Sequence, residues 1–166
     1  DLCLVGSEMC IRDRNICILR KKKTSMEKQI IDDKIKELFI SSRVIALVGA
    51  SNNKEKDSNK VMKFLQRAGY KVIPVNPTSI NSVIHGEKVY GSLIDIDQKV
   101  DIVDVFRPSK EAEEIANQTI KIGAQALWLQ LDIKNDKAKD LVMKNKIYYI
   151  SNKCTKIEFE RLFRGS

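Results

Sequence analysis

The chain has 166 residues, 43% hydrophobic and 31% charged, with 7 Gly and 3 Pro. That is enough for one compact, soluble globular domain, and it excludes a low-complexity or fibrous chain. No stretch reaches the roughly 20 consecutive apolar residues of a spanning helix, so no membrane partner is expected; the net charge of +8 is scattered, with Arg20 to Lys23 the one basic run, so no nucleic-acid partner is expected either.

Residues 1 to 14, DLCLVGSEMCIRDR, show neither a sustained helical period nor a strand alternation that continues into the next segment. The run LVGSEMCIRDR closely resembles translated sequencing-adapter sequence, and Met26 is the natural initiator. Residues 1–25 are therefore expected to be a non-native or disordered extension and residues 26–166 the domain. A signal peptide fits poorly, because the charges follow the apolar residues and no long apolar core comes after them. Cysteines 3, 10 and 17 crowd into this extension and Cys154 stands alone, which favours reduced thiols in a cytoplasmic protein over a disulfide framework.

From Glu27 to Ile40, apolar residues at helical spacing predict an amphipathic helix that packs on a sheet. Val44 to Val48 is an unbroken apolar run ending at Gly49, as strands buried on both faces are. Asp57 or Ser58 is the expected cap of a helix that Gly69 stops. Tyr70 to Val75 predicts a second strand, ended by Pro77. Residues 78–99 predict an irregular connection with a short segment around Lys88 to Tyr90. A strand over Val100 to Phe106 and a helix capped by Ser109 and stopped at Gly123 come next. Ala126 to Leu129 (strand), Lys134 to Asn145 (helix), Ile147 to Ile150 (strand) and Thr155 to Phe163 (helix) complete the alternation.

Strands alternating with helices imply right-handed crossovers and a five-stranded, mainly parallel sheet covered on both faces: a Rossmann-like three-layer αβα sandwich. Ligands of such sheets bind beyond the carboxyl ends of the strands, where strand order reverses. The first of those loops, Gly49-Ala50-Ser51-Asn52-Asn53, leads into a helix start, an arrangement suited to a phosphate; a glycine there also serves simply to turn the chain. The G-x-G-x-x-G fingerprint is absent, and Pro74-Val75-Asn76-Pro77 offers no acid for a ribose, so a nicotinamide dinucleotide is disfavoured.

The motifs VIALVGAS at 44–51, GYKVIPVNP at 69–77, VDIVDVFRPS at 100–109 and GAQALWLQ at 123–130, with the late Cys154, resemble the small stand-alone CoA-binding-domain family. That family is related to the N-terminal domain of the succinyl-CoA synthetase alpha subunit, and the resemblance spans about residues 30–163. It implies coenzyme A as ligand, with Gly49, Ala50, Ser51 and Asn53 in the phosphate loop and Ser58 and Asn59 at the following helix start. It likewise places Val75, Asn76 and Pro77 after the second strand and Phe106, Arg107 and Pro108 after the third. Arg107 is either a phosphate ligand or a structural arginine paired with an acid such as Asp104, and Asn76 is either a contact or a turn residue. Gln130 is the better contact candidate than Trp128, which belongs to the core.

His85, the one histidine, sits beside Gly86 in a loop and reads as a turn residue rather than a general base. Cys154 is either an inert thiol or one placed near the thiol end of the ligand, with Lys153 and Lys156 favouring thiolate. No catalytic residue is assigned and no metal set is recognised. The expected function is binding of coenzyme A or an acyl-CoA by a module without catalysis of its own, its protein partner unspecified. The alternative is an NAD(P)-dependent oxidoreductase-like or acyl-CoA ligase-related enzyme.

Overall fold

The computed structural model describes residues 10–165; residues 1–9, within the stretch expected to be foreign, lie outside the described residues. The chain forms two compact units, Asp1–Glu37 and Leu38–Ser166. A helix, α1, runs Cys10–Ser41, starting well before the expected Glu27. In the first unit Arg20 to Lys23 are exposed, and Cys17 is disulfide-bonded, which departs from the expectation of reduced thiols throughout.

The second unit holds β1 (Val44–Val48), α2 (Asp57–Arg67), β2 (Lys71–Val75), β3 (Val83–Ile84), β4 (Glu87–Lys88), β5 (Ile102–Val105), α3 (Ala112–Lys121), β6 (Ala126–Leu129), α4 (Asp136–Lys144), β7 (Tyr148–Ile150) and α5 (Thr155–Phe163). The sheet has the order β2-β1-β5-β6-β7 with every neighbouring pair parallel, so strand order reverses between β1 and β5. This is the expected Rossmann-like sandwich. The apolar runs form its strands because both faces are covered: α3 packs on α4 and α2 on α5.

On the α3–α4 side the core joins Ala46, Val103, Val105 and Leu127 to Ala116 and Val142. On the other side it is aromatic. Phe39, on the last turn of α1, lies 5.4 Å from the rings of both Trp128 and Phe159, and Phe64 of α2 meets Phe159 edge-on. Trp128 is fully buried, as expected, and its Nε1 donates to the Lys153 carbonyl at 2.7 Å.

Three local expectations are corrected. Neither Asp57 nor Ser58 caps α2; Lys56 stands at its N-cap and makes no side-chain cap bond. Ser109 does not cap α3 but opens a short 3-10 turn, Ser109–Glu111, and its hydroxyl accepts from Lys134 N at 3.2 Å. The connection 78–99 contains a two-stranded hairpin, β3 with β4; its tip, His85-Gly86, has φ of 46° and 84°, the left-handed region a tight turn demands.

Candidate functional site

The β1–α2 loop leaves the sheet at Gly49, whose φ of 88° and close neighbours define the entry. A Cβ there would lie 2.9 Å from Arg107 Cδ and 3.0 Å from the Phe106 carbonyl oxygen, so only glycine lets the two loops approach this closely. Gly49 N donates to Val75 O at 2.9 Å, and Asn76 Nδ2 donates to Ala50 O at 2.8 Å. Farther along, Asn53 N donates to Ser51 Oγ and Glu55 N to Asn53 Oδ1, at 3.1 and 2.9 Å. The loop is thus held by its own side chains and by the end of β2, and it delivers the uncapped start of α2, where Asn59 N already donates to Lys56 O at 3.1 Å and the N–H groups of Asp57 and Ser58 precede the first intrahelical bond.

These loops wall a cavity of about 630 Å³, lined by Gly49, Ala50, Ser51, Asn53, Ser58, Asn76, Phe106 and Arg107. Its cations are Lys56 and Arg107, its acids Glu55 and Asp57. A second cavity, about 390 Å³, shares Asp57 and Phe106 with the first and continues between Gln130, Leu131, Ile133, Cys154 and Ile157. A third, about 330 Å³, shares Arg107 with the first and lies against Val48, Val75, Pro77, Leu93 and Ile115. Twelve of the fourteen residues picked from sequence therefore line this group of cavities. Pro108 and Asn59 line none of the three.

Asn59 is instead a brace. Buried on α2, it donates from Nδ2 to Ser51 O at 2.8 Å, and its Oδ1 lies 2.9 Å from His85 Nε2. Gln66 Nε2 donates to the His85 carbonyl at 3.3 Å, so the hairpin tip is fastened to α2 and through it to the β1–α2 loop. Asn76 is both cavity-lining and structural: its Oδ1 accepts from Thr78 N and Oγ1 at 3.0 and 2.8 Å.

Arg107 does not pair with Asp104. Its Nε and Nη2 donate to the two Glu111 carboxylate oxygens at 2.8 and 2.7 Å, and hydrogen bonding to Glu111 pushes its pKa up while that of Glu111 goes down. Of the five guanidinium hydrogens two are committed, leaving three for another acceptor.

Asp104 lies elsewhere, fully buried on β5. Its Oδ1 accepts from Gln130 Nε2 at 2.6 Å, its Oδ2 from Thr155 Oγ1 at 2.9 Å, and Gln130 Nε2 also donates to Thr155 Oγ1 at 2.9 Å. Burial raises the Asp104 pKa to about 7, against the lowering by both hydrogen bonds. Beside it Cys154, a free thiol, stands at the N-cap of α5. Burial is the main reason its pKa is raised, with the Asp104 charge adding to it, while the amides of Ile157 and Lys156 and the Lys156 charge act the other way. No sequence motif marks Lys110 and Glu111 as lining the third cavity. Asp104 and Thr155 could have been suspected as polar residues next to apolar runs.

Among the described residues no group of His, Cys, Asp and Glu could hold a metal ion, and no helix is long and apolar enough to cross a membrane. Comparison with known proteins gives a relative in Bacillus subtilis (strain 168), the uncharacterized protein YneT, 36% identical over 123 residues, 74% of this chain and 90% of that one. A solved hypothetical protein from Pyrococcus horikoshii OT3 is 40% identical with a TM-score of 0.76, over 79% of this chain and 91% of its own. The dinucleotide-forming acetyl-coenzyme A synthetase 1 of Ca. Korarchaeum cryptofilum shares the fold, at 21% identity and a TM-score of 0.56, over 64% of this chain and 25% of the synthetase. A family model, the CoA binding domain, matches residues 43–160. With most of its length inside that match, and the loops of the match walling the cavities at the sheet's reversal point, the chain belongs to the CoA-binding-domain family.

Proposed function

We propose that the chain binds coenzyme A or an acyl-CoA in the crevice between β1 and β5, acting as a binding module rather than as an enzyme. The observation that carries this is the junction of three unlike cavities at Phe106 and Arg107. Coenzyme A has three unlike parts: a charged diphosphate and ribose phosphate, a flat adenine, and a pantetheine arm ending in a thiol. The polar first cavity, with the α2 amides, Lys56 and the unspent hydrogens of Arg107, suits the phosphates. The third, lined by Val75, Pro77 and Leu93, suits adenine, and the second, ending at Cys154, suits the arm. The Asn76 turn, occupied in holding two loops, offers no carboxylate to a nicotinamide dinucleotide's ribose. A cytoplasmic location goes with this function, because the free Cys154 thiol would sit beside the ligand's own thiol; the disulfide-bonded Cys17 lies outside the family match.

Calorimetric titration of the full chain with coenzyme A, acetyl-CoA, NAD and NADP tests the proposal. Coenzyme A or acetyl-CoA should bind, and Arg107→Ala should lower that affinity by about tenfold or more, as loss of a charge-assisted phosphate contact does. Binding of NAD without coenzyme A would sink it.

A further inference from the structure

Resting on the coenzyme A reading, we propose that buried Asp104 is a positioning residue that turns the Gln130 amide so that its carbonyl oxygen is the acceptor for an amide N–H of the arm in the second cavity. Gln130 is itself 4% exposed and lines that cavity. Its amide has two donor hydrogens and one acceptor oxygen. Both hydrogens are spent inward, on Asp104 Oδ1 and Thr155 Oγ1. An ionised carboxylate only accepts, so the opposite orientation would press the Gln130 oxygen against a carboxylate oxygen at 2.6 Å. In its ionised form the acid therefore selects the orientation, and Oε1 is the hydrogen-bonding group the side chain has left.

Thr155 completes the lock. Its hydroxyl accepts from Gln130 and donates to Asp104 Oδ2, so each of the three side chains fixes the other two, and α5 is tied to β5 and to the end of β6. Around this acceptor the wall presents the apolar side chains of Leu131, Ile133 and Ile157, and the cavity is also lined by the charged Asp57, Lys60, Lys156 and Glu160. A buried acceptor set among such apolar side chains discriminates by what it leaves unpaired: a chain carrying an amide N–H satisfies it, whereas a purely hydrocarbon chain buries it without a partner. The pantetheine arm carries two such amides. Asp104 acts through Gln130 and touches no ligand; Gln130 sets specificity for the arm.

The test separates the arm from the nucleotide, using coenzyme A and adenosine 3′,5′-bisphosphate as probes. Titrations are run at about pH 8, above the value of about 7 to which burial raises Asp104. Wild type should bind coenzyme A more tightly than the bisphosphate. Asp104→Asn, which lets the Gln130 amide turn over, should weaken coenzyme A by about tenfold and leave the bisphosphate within about twofold. Gln130→Met, which keeps the length but removes the acceptor, should do the same and does not depend on how Asp104→Asn folds. The double variant should be no weaker than Gln130→Met alone. Equal losses for both ligands, or unchanged coenzyme A binding in Gln130→Met, would overturn the inference. Wild-type binding of the bisphosphate with no gain from the arm overturns it too, while the nucleotide site stands. A wild type that binds neither ligand overturns the coenzyme A reading itself and this inference with it.

Discussion

Burying Asp104 without a cation costs stability wherever the carboxyl is ionised, and the direction of that cost is fixed. The folded-state pKa, about 7, lies above the ordinary aspartate value of 3.8, so between those values the folded chain holds a proton that the unfolded chain has released. Stability is then greatest below the unfolded pKa and falls as pH rises through about 7. Asp104→Asn should remove this component. In urea unfolding at about pH 5 and about pH 8, wild type should lose a few kcal/mol relative to the variant, and parallel pH profiles would contradict the assignment. A carboxylate kept at such a cost fits a positioning duty better than a purely structural one. Residues of this kind were only partly legible in the sequence. VDIVDVF reads as a strand, but nothing in it says that the second aspartate points inward to partners more than twenty residues away.

At the level of elements the strands were the most legible part. Val44–Val48 and Ala126–Leu129 coincide with the apolar runs, because a parallel strand is covered on both faces and its burial is written residue by residue. Helix starts were less so, since a cap is decided by where the chain arrives. Lys56 precedes α2 without a cap bond, while Asn135 caps α4 by accepting from Ala138 N at 2.9 Å. The β3–β4 hairpin was missed, its strands being two residues long. Its role depends on Asn59, picked as a ligand contact and found to brace the loop and the hairpin together. Asn59→Ala should accordingly destabilise the unit by about 1–3 kcal/mol, through the buried groups it leaves unpaired. It should also speed amide exchange across residues 51–58 and 83–88, as hydrogen-exchange mass spectrometry would measure. An effect confined to ligand affinity, with exchange unchanged, would restore Asn59 to the role of a contact.

Across the second unit the site exists because of the sheet's order. With β1 and β5 adjacent and their crossovers leaving toward opposite faces, the loops after Val48 and Val105 are parted by the turn of the chain, and Gly49 lets them close to contact distance. Fold and family were therefore readable from the alternation of elements and the loop motifs. The division of the crevice into a polar centre and two apolar arms was not, because it depends on side chains from six separate segments meeting at Phe106 and Arg107. The most direct test is amide chemical-shift mapping of the full chain during titration with coenzyme A. Shifts should concentrate at Gly49 to Ser58, Asn76, Phe106 to Arg107, Gln130 and Cys154 in one saturable event. Shifts confined to other residues, or none with coenzyme A where NAD perturbs the same set, would contradict a coenzyme A site in this crevice.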